Sequence, residues 1–145
     1  MTYTRYVNGE IVEFTPAEIA ARQAEEAAAL TAQIKDHLEA YAKSVENSAL
    51  TVQGFTEDGS EEHRRNAKEA LDFVEELGSN APSSLPWSSP NHGVQSVTPA
   101  VLRAWLLAAG LRRLKRFNVQ AVLDPADYST KEALETAFDA AMSSA

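Results

Sequence analysis

The chain has 145 residues and 44% hydrophobic content, enough for one modest domain or for a small domain with an extended arm. A net charge of −8 and a pI near 4.8 argue against a general nucleic-acid binder. Cysteine is absent, which excludes a disulfide framework and any thiol-based zinc or redox chemistry. The longest apolar stretch, Ala104–Ala109, is far short of the roughly eighteen residues a membrane span needs. No basic start followed by an apolar run marks a leader, so synthesis and folding in a cytoplasm are expected, with no membrane partner.

The first element is a hairpin. Tyr3–Val7 and Glu10–Phe14 are β-prone runs joined by Asn8-Gly9, a pair that tolerates the positive φ of a tight hairpin turn. Thr15-Pro16-Ala17-Glu18 then opens a helix: Thr15 suits the cap, Pro16 the first helical position, and Glu18 the far side of a capping box. No breaker is met until Asn47-Ser48. A helix of about thirty residues runs about 45 Å, longer than so small a domain buries, so its apolar stripe is expected to meet another chain. Ile19, Leu30 and Tyr41 are spaced by eleven, as are Ile34 and Val45, a period that keeps the stripe almost straight. A strict heptad fails, because it would align Gln23, Leu30, His37 and Ser44. Ile19, Leu30, Ile34, Leu38, Tyr41 and Val45 are the expected oligomer or partner interface.

After the helix, Leu50–Phe55 alternates apolar and polar residues and suits one short half-buried strand, and Thr56–Ser60 is turn-rich. A second helix is expected from Ser60 to Leu77, stopped by Gly78, with Ala67, Ala70, Leu71, Val74 and Leu77 on its inner face. Ser79–Gln95 reads as a loop that accommodates a hairpin about Asn91-His92-Gly93, with Leu85 and Trp87 as anchors. Thr98-Pro99 starts a third helix whose apolar positions are Val101, Leu102, Trp105, Leu106, Ala109, Leu114 and Phe117, reaching towards Val122. Asp124-Pro125 ends it. Ser129–Glu132 has the form of a capping box for a fourth helix with Leu134, Ala137, Phe138 and Ala141 inward. The fold class is therefore mainly α with a small β component. Residues 1–48 form an N-terminal hairpin and long assembly helix. Residues 49–145 form a small α+β domain with three helices, its core set by Leu71, Val74, Trp87, Trp105, Phe117 and Phe138.

Charge is unevenly placed. Residues 1–80 carry 16 acidic and 7 basic side chains, and residues 81–145 carry 5 acidic and 6 basic. Arg112, Arg113, Lys115 and Arg116 make the third helix basic, with no acid between Thr98 and Leu123. This suits attraction between the two parts of one chain, or of neighbouring copies. The four basic residues are candidate electrostatic contacts, though no stacking aromatic set accompanies them to favour nucleic acid. His37, His63 and His92 lie in separate elements, which disfavours a metal centre and suits exposed or interface histidines. There is no phosphate-binding glycine loop. Ser83, Ser84, Ser88 and Ser89 lack the pattern of a nucleophile elbow, and paired acids such as Glu25-Glu26 and Glu75-Glu76 read as solvated helix surface. No catalytic residue, metal site or cofactor is expected.

The opening Tyr6–Val12 with Thr15–Glu18 and the Ala/Glu-rich helix resembles the start of many tailed-bacteriophage tail proteins. The remainder of the chain resembles a phage domain of undefined biochemical function carried by tail and tail-fibre-associated proteins. Its parts appear here in order: a strand like Leu50–Phe55, a helix like Ser60–Leu77, a Trp and turn like Trp87–Gly93, and a helix opened as in Val97-Thr98-Pro99. The resemblance implies a non-enzymatic virion component of the fibre, baseplate or tail tip. It would be made in the host cytoplasm, assemble with itself, with a homotrimer expected, and contact other tail or fibre proteins. The alternatives are a fibre-assembly chaperone absent from the finished particle and a small nucleic-acid-linked regulator acting through Arg112 and Arg113.

Overall fold

The computed structural model describes residues 4–144; Tyr3, expected to begin the first hairpin, and Ala145 lie outside them. The described part is mainly helical, with three two-stranded antiparallel sheets and four α-helices. None of the helices is long and apolar enough to cross a membrane.

Strands β1 (Thr4–Val7) and β2 (Glu10–Glu13) pair about Asn8 and Gly9, whose φ values of 51° and 82° fit the turn. Every residue of the two strands is exposed. The hairpin is tied to the next helix by Arg5, 3.0 Å from Glu18. Helix α1 spans Pro16–Asn47 and starts as the sequence indicates, with the Thr15 hydroxyl accepting from the Glu18 amide at 3.2 Å.

Helix α1 has two unlike halves. From Ala20 to Leu30 every residue is exposed, although Leu30 is a large apolar side chain. From Ile34 onward the helix packs on its own chain. Ile34, Leu38 and Ala42 are buried against Val119, Leu134 and Phe138, with Tyr41, Val45, Leu123 and Met142 at the edge. This corrects two expectations. Ile34, Leu38, Tyr41 and Val45 are occupied inside the chain, which leaves Ile19 and Leu30 alone of the six expected interface residues on the outer half. The packing also divides the chain near Thr31 rather than at Ser48.

A second correction falls on residues 50–60. The single strand expected to Phe55 is a hairpin: β3 (Ala49–Val52) turns at Gln53 and Gly54 into β4 (Phe55–Asp58). Gln53 has φ 50° and Gly54 φ 84°. A glutamine in that left-handed region is uncommon, so the turn has no strong sequence signal. Helix α2 (Glu61–Leu77) comes next, capped by Ser60 and ended at Gly78, where φ is 56°. Strands β5 (Leu85–Ser89) and β6 (Gly93–Val97) form the hairpin expected within the loop. The Gln95 side-chain amide satisfies both backbone groups of Thr56 on the free edge of β4, accepting from its N–H at 3.0 Å and donating to its carbonyl at 2.8 Å.

Helix α3 (Pro99–Val122) opens on the Thr98 cap and Pro99. Its inner face buries Leu102, Trp105 and Ala109 with Phe55, Ala67, Leu71 and Val97. Phe55 meets both tryptophans edge-on, Trp87 at 5.8 Å and Trp105 at 6.0 Å. Trp87 itself is half-buried, while Leu71, Val74, Trp105 and Phe138 are buried as expected. Phe117 is not a core residue. It is 44% exposed and lies under the guanidinium of Arg116, 3.8 Å from the ring centre. Helix α4 (Lys131–Ser143) is capped by Thr130, which accepts from the Ala133 amide at 3.1 Å; the expected cap, Ser129, stands one residue before it.

Between α1 and α4, the Tyr41 hydroxyl donates to Asp139 at 2.8 Å, and His37 lies 2.8 Å from Glu135. The bond to Asp139 holds the Tyr41 phenol protonated and pushes its pKa up to about 12 from 10.0, with desolvation adding to the effect. Because the folded value is raised, the stabilisation is complete below pH 10 and is lost as pH rises through about 12. In an alkaline titration followed by ultraviolet absorbance, Tyr41 is expected to ionise near pH 12. Tyr41→Phe should remove that step, and an unchanged profile would refute the assignment.

Candidate functional site

The most charged junction of the molecule lies where α1 ends beside α3. Glu46 is in register with the buried stripe of α1, four residues after Ala42, yet it is charged and only 4% exposed. Its Oε2 accepts from Arg116 Nη2 at 3.0 Å. Its Oε1 lies 3.4 Å from Arg113 Nε and 3.9 Å from Arg64 Nη1, without a hydrogen bond to either. Arg112 serves the backbone instead, donating to the carbonyls of Glu46 at 2.8 Å and Ser48 at 2.5 Å, and to the Ser48 hydroxyl at 3.2 Å. A cation placed on the last carbonyls of a helix complements both their unfilled lone pairs and the helix dipole. Burial pushes the guanidinium pKa values of Arg64 and Arg112 below the usual arginine range, and the charge of Glu46 opposes that shift.

The turn between β4 and α2 is fitted to this junction. Arg64 donates to the Gly59 carbonyl. A Cβ on Gly59 would overlap the Arg112 guanidinium and stand 2.6 Å from the Glu46 carbonyl oxygen, so a side chain has no room there. Lys115 donates to the Ser144 carbonyl and binds α3 to the end of α4. The four expected electrostatic residues are therefore engaged within the chain, Arg112, Arg113 and Arg116 around the end of α1 and Lys115 at α4. The attraction between the acidic and basic parts of the sequence acts intramolecularly here.

A second polar cluster fastens the two C-terminal hairpins together. Glu57 is fully buried and accepts from Trp87 Nε1 at 2.7 Å, Ser89 Oγ at 3.0 Å and the Asp58 amide at 2.8 Å. Asp58 lies 2.7 Å from His92 Nε2 and accepts from Asn91 at 2.5 Å. The bond to His92 is the largest influence holding the Asp58 carboxyl below the usual aspartate value. Glu57, Asp58 and His92 have the donor chemistry and proximity of a cation site, with ligand atoms within 4.8 Å of one another. Each already has protein partners, and a cation would break the Asp58–His92 contact. The trio therefore acts chemically as a clasp. Each histidine, expected to be exposed or at an interface, is half-buried: His37 lies against Glu135, His92 against Asp58, and His63 meets Ser60 Oγ at 2.9 Å and stands 3.6 Å from Glu57.

The outer face of α3 is the reverse of this satisfied interior. Leu107, Leu111 and Leu114 are 65%, 57% and 62% exposed. With Leu106, Gly110 and Phe117 they line an open apolar groove of about 650 Å³ rimmed by Arg64, Arg103 and Arg113. Among the described residues no acid lines it. Leu114, expected in the core, belongs to this surface because α3 carries a second apolar face alongside the buried one. A groove of this size without convergent polar groups suits an apolar helix or peptide better than a reacting substrate.

No family model, curated protein or solved structure matches the chain.

Proposed function

We propose that this protein is a non-enzymatic structural component of a bacteriophage tail, placed at a fibre, baseplate or tail-tip attachment point and working by protein–protein assembly. The observation that carries the assembly reading is the outer half of α1. A helix exposed on every side from Ala20 to Leu30, bearing a hairpin at its tip, gains little by itself in water. It gains much when another surface covers it. The engagement of the histidines and Glu57 by protein partners also favours a structural role over acid–base catalysis. The phage setting rests on the resemblance of Tyr6–Glu18 and of the strand, helix, tryptophan hairpin and helix order after it. The partners are further copies of this chain and other tail or fibre proteins.

Quantitative mass spectrometry of purified particles tests this reading. The chain should be present at a fixed ratio to the tail proteins. Recovery only from the infected-cell extract, with none in particles, would replace the structural role by that of an assembly chaperone.

A further inference from the structure

We propose that the groove on the outer face of α3 receives the Pro16–Leu30 segment of α1 from a second copy of this chain. The proposal rests on the assembly reading above and names the surfaces that would perform it.

The two surfaces match in size, shape and charge. The exposed segment presents Ala17, Ala21, Ala24 and Ala28 on one face, at alternating spacings of four and three. A face of small side chains lets a second helix approach closely, and the large Leu107, Leu111 and Leu114 are the side chains that fill such a face. Ala17 and Ala28 are eleven positions apart, as are Leu106 and Phe117, or about 16 Å of helix. Glu25 borders the alanine face on one side, next to Glu18, which is paired with Arg5. Across the contact Glu25 would meet Arg103 and Arg113 on a groove rim that carries no acid among the described residues.

The segment cannot fill its own groove. Helix α1 is unbroken from Pro16 to Asn47 and has no glycine or proline after Pro16 to allow a sharp bend. Its inner half is fixed by Ile34, Leu38 and Ala42 in the core. A second copy brings a segment with no such constraint. Because the contact joins two different surfaces, it closes as a reciprocal pair or a ring where the rotation permits and otherwise runs on as an open filament, and the solution mass reads which.

Light scattering of the full-length chain over a concentration series tests this. The chain should self-associate. Arg103→Glu on the rim, or Glu25→Lys on the segment, should each weaken association at least about tenfold. Mixing the two variants should restore it, because the reversed charges again oppose each other. Leu111→Asp, at an exposed position, should also dissociate the assembly while the helical circular dichroism is retained. A chain that stays monomeric at every concentration would overturn the proposal. So would association that survives Leu111→Asp but is lost in the segment variant, which would place the segments against one another instead. Either failure leaves the particle measurement, and with it the tail assignment, to stand or fall separately.

Discussion

A chain truncated to begin at Ser48 should lose cooperative unfolding, whereas one begun at Thr31 should keep it. The first truncation deletes Ile34, Leu38 and Ala42 and leaves Val119, Leu134 and Phe138 facing water. Reducing a buried Leu or Ile to Ala costs about 2–5 kcal/mol, and a domain of this size holds roughly 5–15 kcal/mol in all. Losing two such side chains, the backbone that carries them and Glu46 together consumes most or all of that margin. The second truncation removes no buried residue among those described. Thermal melts followed by circular dichroism separate the outcomes. A sharp transition in the chain begun at Ser48 would show that the second half of α1 is not part of the core.

Glu46→Gln should destabilise the protein by about 3 kcal/mol, the lower end of what breaking a buried ion pair costs. The substitution preserves shape but removes the carboxylate that lies within ion-pair distance of Arg64, Arg113 and Arg116. Arg116 suffers most, because it hydrogen-bonds Glu46 and its side chain is only 12% exposed; Arg64 keeps the Gly59 carbonyl, and Arg113 can turn to solvent. Combining Glu46→Gln with Arg116→Gln should cost less than the sum of the two single changes, since the second change removes the stranded charge. Chemical denaturation of the four proteins measures the coupling. A wild-type midpoint for Glu46→Gln would mean that the arginines are adequately solvated without it.

The sequence carried clear signals for elements bounded by local chemistry. Asn8-Gly9, Thr15-Pro16, Ser60, Gly78 and Thr98-Pro99 each satisfy a turn or a helix end through neighbouring residues, and the corresponding elements form where those signals fall. Gln53-Gly54 lacked a strong turn residue at its first position, which hid the β3–β4 hairpin. Once that turn is placed, period-two alternation puts Phe55 and Glu57 on the same inward face. The burial of Glu57 was therefore latent in the sequence. Glu46 was legible in the same way, as the fourth member of the series Ile34, Leu38, Ala42 and Glu46. The pairing of His92 with Asp58 had no local signal, because it arises when two hairpins dock. Helix α3 concealed its surface differently: its two apolar faces merge in a one-dimensional reading, so Leu114 and Phe117 look as buried as Leu102 and Trp105.

Helix α1 is continuous from the exposed tip to the buried junction. It is therefore a lever as well as a connection. About fifteen residues, or some 22 Å of helix, extend beyond the point where the core takes hold. A sideways force on the hairpin acts at the long end of that beam, and Ile34 and Leu38 serve as its fulcrum. The short end finishes at the carbonyls of Glu46 and Ser48, where Arg112 grips the backbone. Torque applied at the tip is thus delivered to a knot of ionic and hydrogen bonds, not dissipated in a loop.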